Sequence, residues 1–98
     1  DTVQRYAFLL KRQEEWPAAL ALWEEAAEHH ALYAFEELAK YFEHRVKQIE
    51  NAYRWTTSAL TLLNEKPMPA YEYHYWLERF DHRLERLTRR IKNLDLDP

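Results

Sequence analysis

Apolar and small residues recur along the chain at helical spacing. Val3, Tyr6 and Leu10 form one block, Leu20, Trp23 and Ala27 a second, and Leu32, Phe35, Leu38 and Phe42 a third. Ile49, Ala52, Thr56, Ala59 and Leu63 form a fourth. Steps of three and four place each block on one face of a helix that turns once per about 3.6 residues. Four short helices are therefore expected. A fifth, longer helix is predicted from about Tyr71 to about Leu94, where Tyr73, Leu77, Phe80, Leu84, Leu87, Ile91 and Leu94 alternate steps of four and three. That heptad-like stripe lies on a helix roughly 35 Å long. It can be buried on the chain's own core or against the same helix of a second copy, so a homodimer through the last helix is one expectation.

Local signals mark the breaks. Pro17 suits the first turn of the second helix, and Glu14 and Glu15 before it favour that helix's positive end. His29 and His30 mark the next boundary. The charged stretch Glu43 to Gln48 reads as a turn or, equally, as a continuation of the helix, and Asn64 to Pro69, with its two prolines, as the clearest loop. Glycine is absent and β-branched residues are few, so hairpins lack both turn chemistry and strand propensity.

Composition narrows the class. Ninety-eight residues fit one small domain, and the 47% apolar content argues for a folded chain. Without cysteine, disulfides and thiolate metal sites are excluded and packing must supply the stability. A formal charge of −3 gives no global reason to expect nucleic acid or an anionic membrane as partner. No apolar run approaches a membrane span and no signal pattern opens the chain, so a cytoplasmic protein is expected. The start at Asp1, without methionine, suggests a piece of something longer.

An internal repeat is visible. Ala19 and Ala52, Trp23 and Thr56, and Ala26 and Ala59 are each 33 residues apart, close to the TPR period of about 34. The stretch Gln13 to Ala27 resembles a TPR turn and second helix, with Trp16 as the turn aromatic, Ala19 and Ala26 at the small positions and Trp23 at the large one. Two departures bear on the turns: Glu14 stands where a glycine is usual, and the second repeat carries one extra residue around His44 to Gln48. A narrower likeness runs through Leu38-Ala39-Lys40-Tyr41-Phe42-Glu43-His44-Arg45, Ala52 to Leu60 and the Leu- and Arg-rich last helix. These segments resemble the C-terminal TPR-like region of bacterial proteins with an RNase H-like, predicted exonuclease domain upstream.

The resemblance implies an all-α, TPR-like right-handed superhelix spanning residues 1–98: repeat 1 over 1–30, repeat 2 over 31–63 and a capping helix over 70–95. It implies a non-catalytic protein-interaction or scaffolding module, an accessory to the upstream nuclease, whose partner is a protein, a peptide or another domain. By the same resemblance Gln4, Phe8, Lys11 and Arg12 of the first repeat, with Tyr33, Glu36, Lys40 and Glu43 of the second, line a concave groove. No asparagine-plus-lysine clamp is evident, so a terminal carboxylate is not the expected ligand.

Other chemistry has weaker support. Arg79, Arg83, Arg86 and Arg90 form a basic stripe capable of phosphate contacts, and a nucleic-acid-binding accessory module is the alternative reading. Glu78, Asp81 and Glu85 flank the apolar seam on the other side, the arrangement expected for charge pairing around it. His74, Glu78 and His82 share a helix face, but the zinc motif His-Glu-x-x-His is missing; no metal, cofactor or catalytic residue is assigned. Ser58, between Thr56 and Ala59, reads as a small packing residue. Tyr71, Tyr73, Tyr75 and Trp76 read as a cap on the repeat core, with a recognition surface as the alternative.

Overall fold

The computed structural model describes residues 2–96. Asp1, Asp97 and Pro98, the ends of the expected 1–98 domain, lie outside the described residues. The chain folds as α1 (Thr2–Arg12), α2 (Trp16–Glu28), α3 (Leu32–Lys40), a π-helical turn (Tyr41–Arg45), α4 (Ile49–Glu65) and α5 (Ala70–Leu96), with no strand among the described residues. None of these helices is long and apolar enough to cross a membrane.

Helix ends show how a chain without glycine makes tight turns. α1 closes with the Glu15 N–H donating to the Leu10 carbonyl at 2.8 Å, and Glu14 between them adopts φ 58°. α2 closes in the same way: the Ala31 N–H reaches the Ala26 carbonyl at 3.0 Å over His30 at φ 64°. Such six-residue closures satisfy carbonyls left over at the helix end and normally recruit glycine for the left-handed position. Pro17 starts α2 as expected, since its missing N–H falls where the helix has no acceptor.

Of the two readings of Glu43 to Gln48, continued helix holds as far as Arg45. Helix continues through Arg45 in a widened turn, with the Val46 N–H on the Tyr41 carbonyl at 3.2 Å. Gln48 then donates to the Phe42 carbonyl at 2.7 Å over Lys47 at φ 56°. The closure after α1 joins residues 10 and 15; this one joins 42 and 48, one residue more. The widened turn thus absorbs the extra residue of the second half. Ala7 and Ala39, both fully buried before the turns, are 32 residues apart, whereas buried Ala19 and Ala52 beyond them are 33 apart.

Each helix packs chiefly on its neighbours in sequence, and α5 lies on α4. Ala7, Trp23, Leu38, Leu63 and Phe80 bring one residue from each of α1 to α5 into the main core. A smaller cluster joins Ile49, Ala52 and Leu87. Every apolar position predicted for the fourth helix is buried, and the Thr56 hydroxyl donates to the Ala52 carbonyl at 2.8 Å. In α1 the stripe is narrower than its periodicity implied: Ala7 and Leu10 are buried, while Val3 and Tyr6 are exposed. Along the α5 stripe Phe80 and Leu87 are fully buried, Tyr73, Leu77, Leu84 and Ile91 half-buried, and Leu94 exposed.

Candidate functional site

On the side shared by α1, α3 and α5 lies a cleft of about 560 Å³. Gln4 and Phe8 come from α1, Tyr33 and Glu36 from α3, and Tyr75 and Trp76 from α5, with Trp23 of α2 also in the lining. Because α1 buries only Ala7 and Leu10, Phe8 is left on the open side, 56% exposed, facing a cleft that also holds Tyr75 at 52%. Burial pushes the Tyr33 phenol above its ordinary pKa, so at neutral pH it remains a hydroxyl able to donate or accept.

Four of the expected groove residues, Gln4, Phe8, Tyr33 and Glu36, therefore meet in one place. Lys11 and Lys40 line a neighbouring hollow of about 270 Å³ and hold Glu37 between them, at 2.9 and 3.5 Å. Arg12 is exposed near the end of α1 and lines neither hollow. Glu43 is a correction: its side chain is fully buried and belongs to an ion cluster instead of an open groove.

The arginines of α5 account for that burial. Arg79 donates through Nε to Glu36, and Arg83 donates to Glu43. Arg86 grips Glu43 with two bonds, Nε at 2.7 Å and Nη2 at 2.8 Å, while Arg90 stands 3.6 Å away. Glu36 and Glu43 are seven residues apart, as are Arg79 and Arg86, and the pairs match in the same chain direction. α3 and α5 thus run parallel with one side-chain ladder between them. Burial pushes the Glu43 carboxyl up, but the Arg86 hydrogen bond and the charges of Arg86, His44 and Arg83 outweigh it, leaving the group below the usual carboxylate range. The same Glu43 bond holds Arg86 above its ordinary value, and Glu36 does so for Arg79.

The stripe read as a phosphate-contacting face is accordingly turned onto two carboxylates of its own chain. Its partners are Glu36 and Glu43, not the adjacent Glu78, Asp81 and Glu85, which lie exposed along α5. Matched seven-residue spacings of Glu and Arg were the available signal for this ladder. Between α3 and α5 remains a crease of about 360 Å³ lined by Tyr75, Glu78, Arg79, His82, Arg83 and, with them, Arg86 and Glu36.

The aromatic cluster at the start of α5 divides. Tyr73 and Trp76 pack against the core, and Trp76 stacks on Phe80 at 5.7 Å, whereas Tyr71 and Tyr75 are exposed. Arg79 lies over the Tyr75 ring at 5.2 Å. Trp16 packs on Tyr41 and under Arg45, its indole N–H buried without an acceptor among the described residues. Ser58, read as a packing residue, is exposed on α4, and His74 and His82 stay on the exposed side of α5. The geometry offers apolar walls, hydrogen-bonding groups and fixed positive charge, a combination suited to holding a ligand. Compared with family models, curated proteins and solved structures, the chain matches none.

Proposed function

We propose that this chain is a non-catalytic protein-interaction or scaffolding module that takes a peptide segment into the cleft between α1, α3 and α5. The observation that carries this reading is the exposure of Phe8 and Tyr75 on facing elements of one concave surface. Large apolar rings left in water across a cleft are the groups that partner binding rewards most. The turn recurring at Glu14 and Lys47, 33 residues apart, together with packing between sequence neighbours, supports a TPR-like superhelix of two helix pairs capped by α5. An accessory role beside a nuclease domain rests on the sequence resemblance and is part of the same proposal. Glu36 and Glu43, the buried carboxylates, are engaged by arginines, which suits a structural ladder better than acid–base chemistry.

The test is selection from a random peptide display library on the immobilised chain, followed by affinity measurements with Phe8→Ala and Tyr75→Ala. Truncating an aromatic anchor should weaken a selected peptide by about tenfold or more. A library that yields no peptide sensitive to either substitution overturns the reading.

A further inference from the structure

The aromatic cleft does not end at Tyr75. Glu36 and Tyr75 line both the cleft and the α3–α5 crease, so the two hollows meet there. Past that junction the walls change from rings to the guanidinium groups of Arg79, Arg83 and Arg86. Each guanidinium carries five N–H donors. Arg79 spends one on Glu36, Arg83 one on Glu43 and Arg86 two on Glu43, while Arg90 at 3.6 Å is beyond hydrogen-bond reach of it. Glu43 runs out of lone pairs before the arginines run out of donors. Charge is unbalanced in the same sense: Arg79, Arg83, Arg86 and Arg90 face Glu36 and Glu43, with Lys40 also 3.9 Å from Glu36. Glu78 and His82 also line the crease, and Arg5 and Glu37 line the cleft, where Glu37 lies 3.5 Å from Lys40. An excess of fixed positive charge therefore borders an aromatic cleft on a chain whose total charge is −3.

We infer that cleft and crease together recognise an acidic, aromatic-anchored segment of a protein partner, its apolar side chain seated among Phe8, Tyr33 and Trp76 and its carboxylates on the spare donors of Arg79, Arg83 and Arg86. The inference rests on the peptide-cleft reading and supplies the chemistry of its ligand. Arg86 holds Glu43 through Nε and Nη2, which leaves its Nη1 donors for a further carboxylate. A short acidic segment can end on these arginines, whereas a long polyanion would also have to pass Glu78, Asp81 and Glu85, exposed on the same helix, where repeated phosphates meet like charge.

Fluorescence anisotropy on the intact chain tests this with two labelled peptides, one pairing an aromatic anchor with an adjacent Asp and Glu, the other carrying Asn and Gln in their place. The acidic peptide should bind about tenfold more tightly or better, the yield of a charge-assisted hydrogen bond. Phe8→Ala should weaken both peptides. Arg79→Gln should weaken the acidic peptide more than the amide peptide and so shrink the preference; Arg79 is 40% exposed, and Lys40 stays beside Glu36. If that variant melts early, Arg79→Lys, which keeps the charge and loses the fork, is read instead. Equal, Phe8-dependent binding of both peptides overturns the acidic preference and leaves the cleft reading standing. Binding of neither, while a display-selected peptide binds through Phe8, has the same meaning; no Phe8-dependent peptide of any kind overturns both. A single-stranded oligonucleotide of equal charge bound in preference to the acidic peptide overturns the inference in favour of nucleic acid.

Discussion

Glu43 has the most at stake of any residue in the chain. A carboxylate with no exposure is costly to bury, and here three guanidinium groups offset that cost. Glu43→Gln keeps the shape and removes the charge, leaving Arg83 and Arg86 with an acceptor that satisfies them poorly. Removing one partner of a buried pair costs about 3–5 kcal/mol, and the partial exposure of Arg86 and Arg90 brings the expectation here to about 2–3 kcal/mol in urea unfolding. Because the folded pKa of Glu43 is depressed, its stabilisation is present above the unfolded carboxylate pKa and is lost as pH falls through the folded value. Wild type and Glu43→Gln should therefore differ at neutral pH and converge in acid. A gap that stays constant with pH would mean that the charge contributes nothing and the loss is one of packing.

Among the elements, the turns depart furthest from common practice. Glu14, His30 and Lys47 hold left-handed backbone that crowds a side chain's Cβ, at a cost of roughly 1–2 kcal/mol for a non-glycine residue, against roughly 0.5–1 kcal/mol of chain entropy that glycine would lose on folding. Each single substitution to glycine should thus stabilise by about 0.5 kcal/mol, raising the urea midpoint at unchanged slope. Lower midpoints at all three would show that the native side chains hold these turns by contacts outweighing the strain. The helices were legible beforehand because their periodicity reports which face meets the core, as the fully buried fourth block shows. Periodicity does not report how many neighbours a helix has, which is why Val3 and Tyr6 were placed inside although α1 packs chiefly against α2. Of the groove residues implied by the TPR resemblance, Gln4, Phe8, Tyr33 and Glu36 came together in one cleft. Glu43 did not, because its fate depends on Arg83 and Arg86, 40 and 43 residues further on, and on the widened turn that carries it.

For the molecule as a whole, α5 joins two regions that should not unfold together. Its first half puts Phe80 into the main core beside residues of all four other helices, whereas its second half rests on Ile49 and Ala52 through Leu87 and on Glu43 through Arg86 and Arg90. Phe80→Ala should lower global stability by about 3–5 kcal/mol, a large part of what a domain this size possesses. Leu87→Ala empties a fully buried position in a much smaller cluster. Its effect should be local: amide exchange should accelerate over residues 84–96, while amides near Trp23 and Leu38 keep most of their protection. Since Leu87 and the Glu43 cluster hold the same half-helix, Leu87→Ala and Glu43→Gln should combine non-additively, the second change costing less once the first has loosened that end. Uniform acceleration across both regions, or strict additivity, would mean that α5 folds and unfolds as a single unit with the core. In the local case Arg86, the last of the crease arginines, belongs to the least stable half of the helix, and a ligand that binds it should slow exchange over residues 84–96.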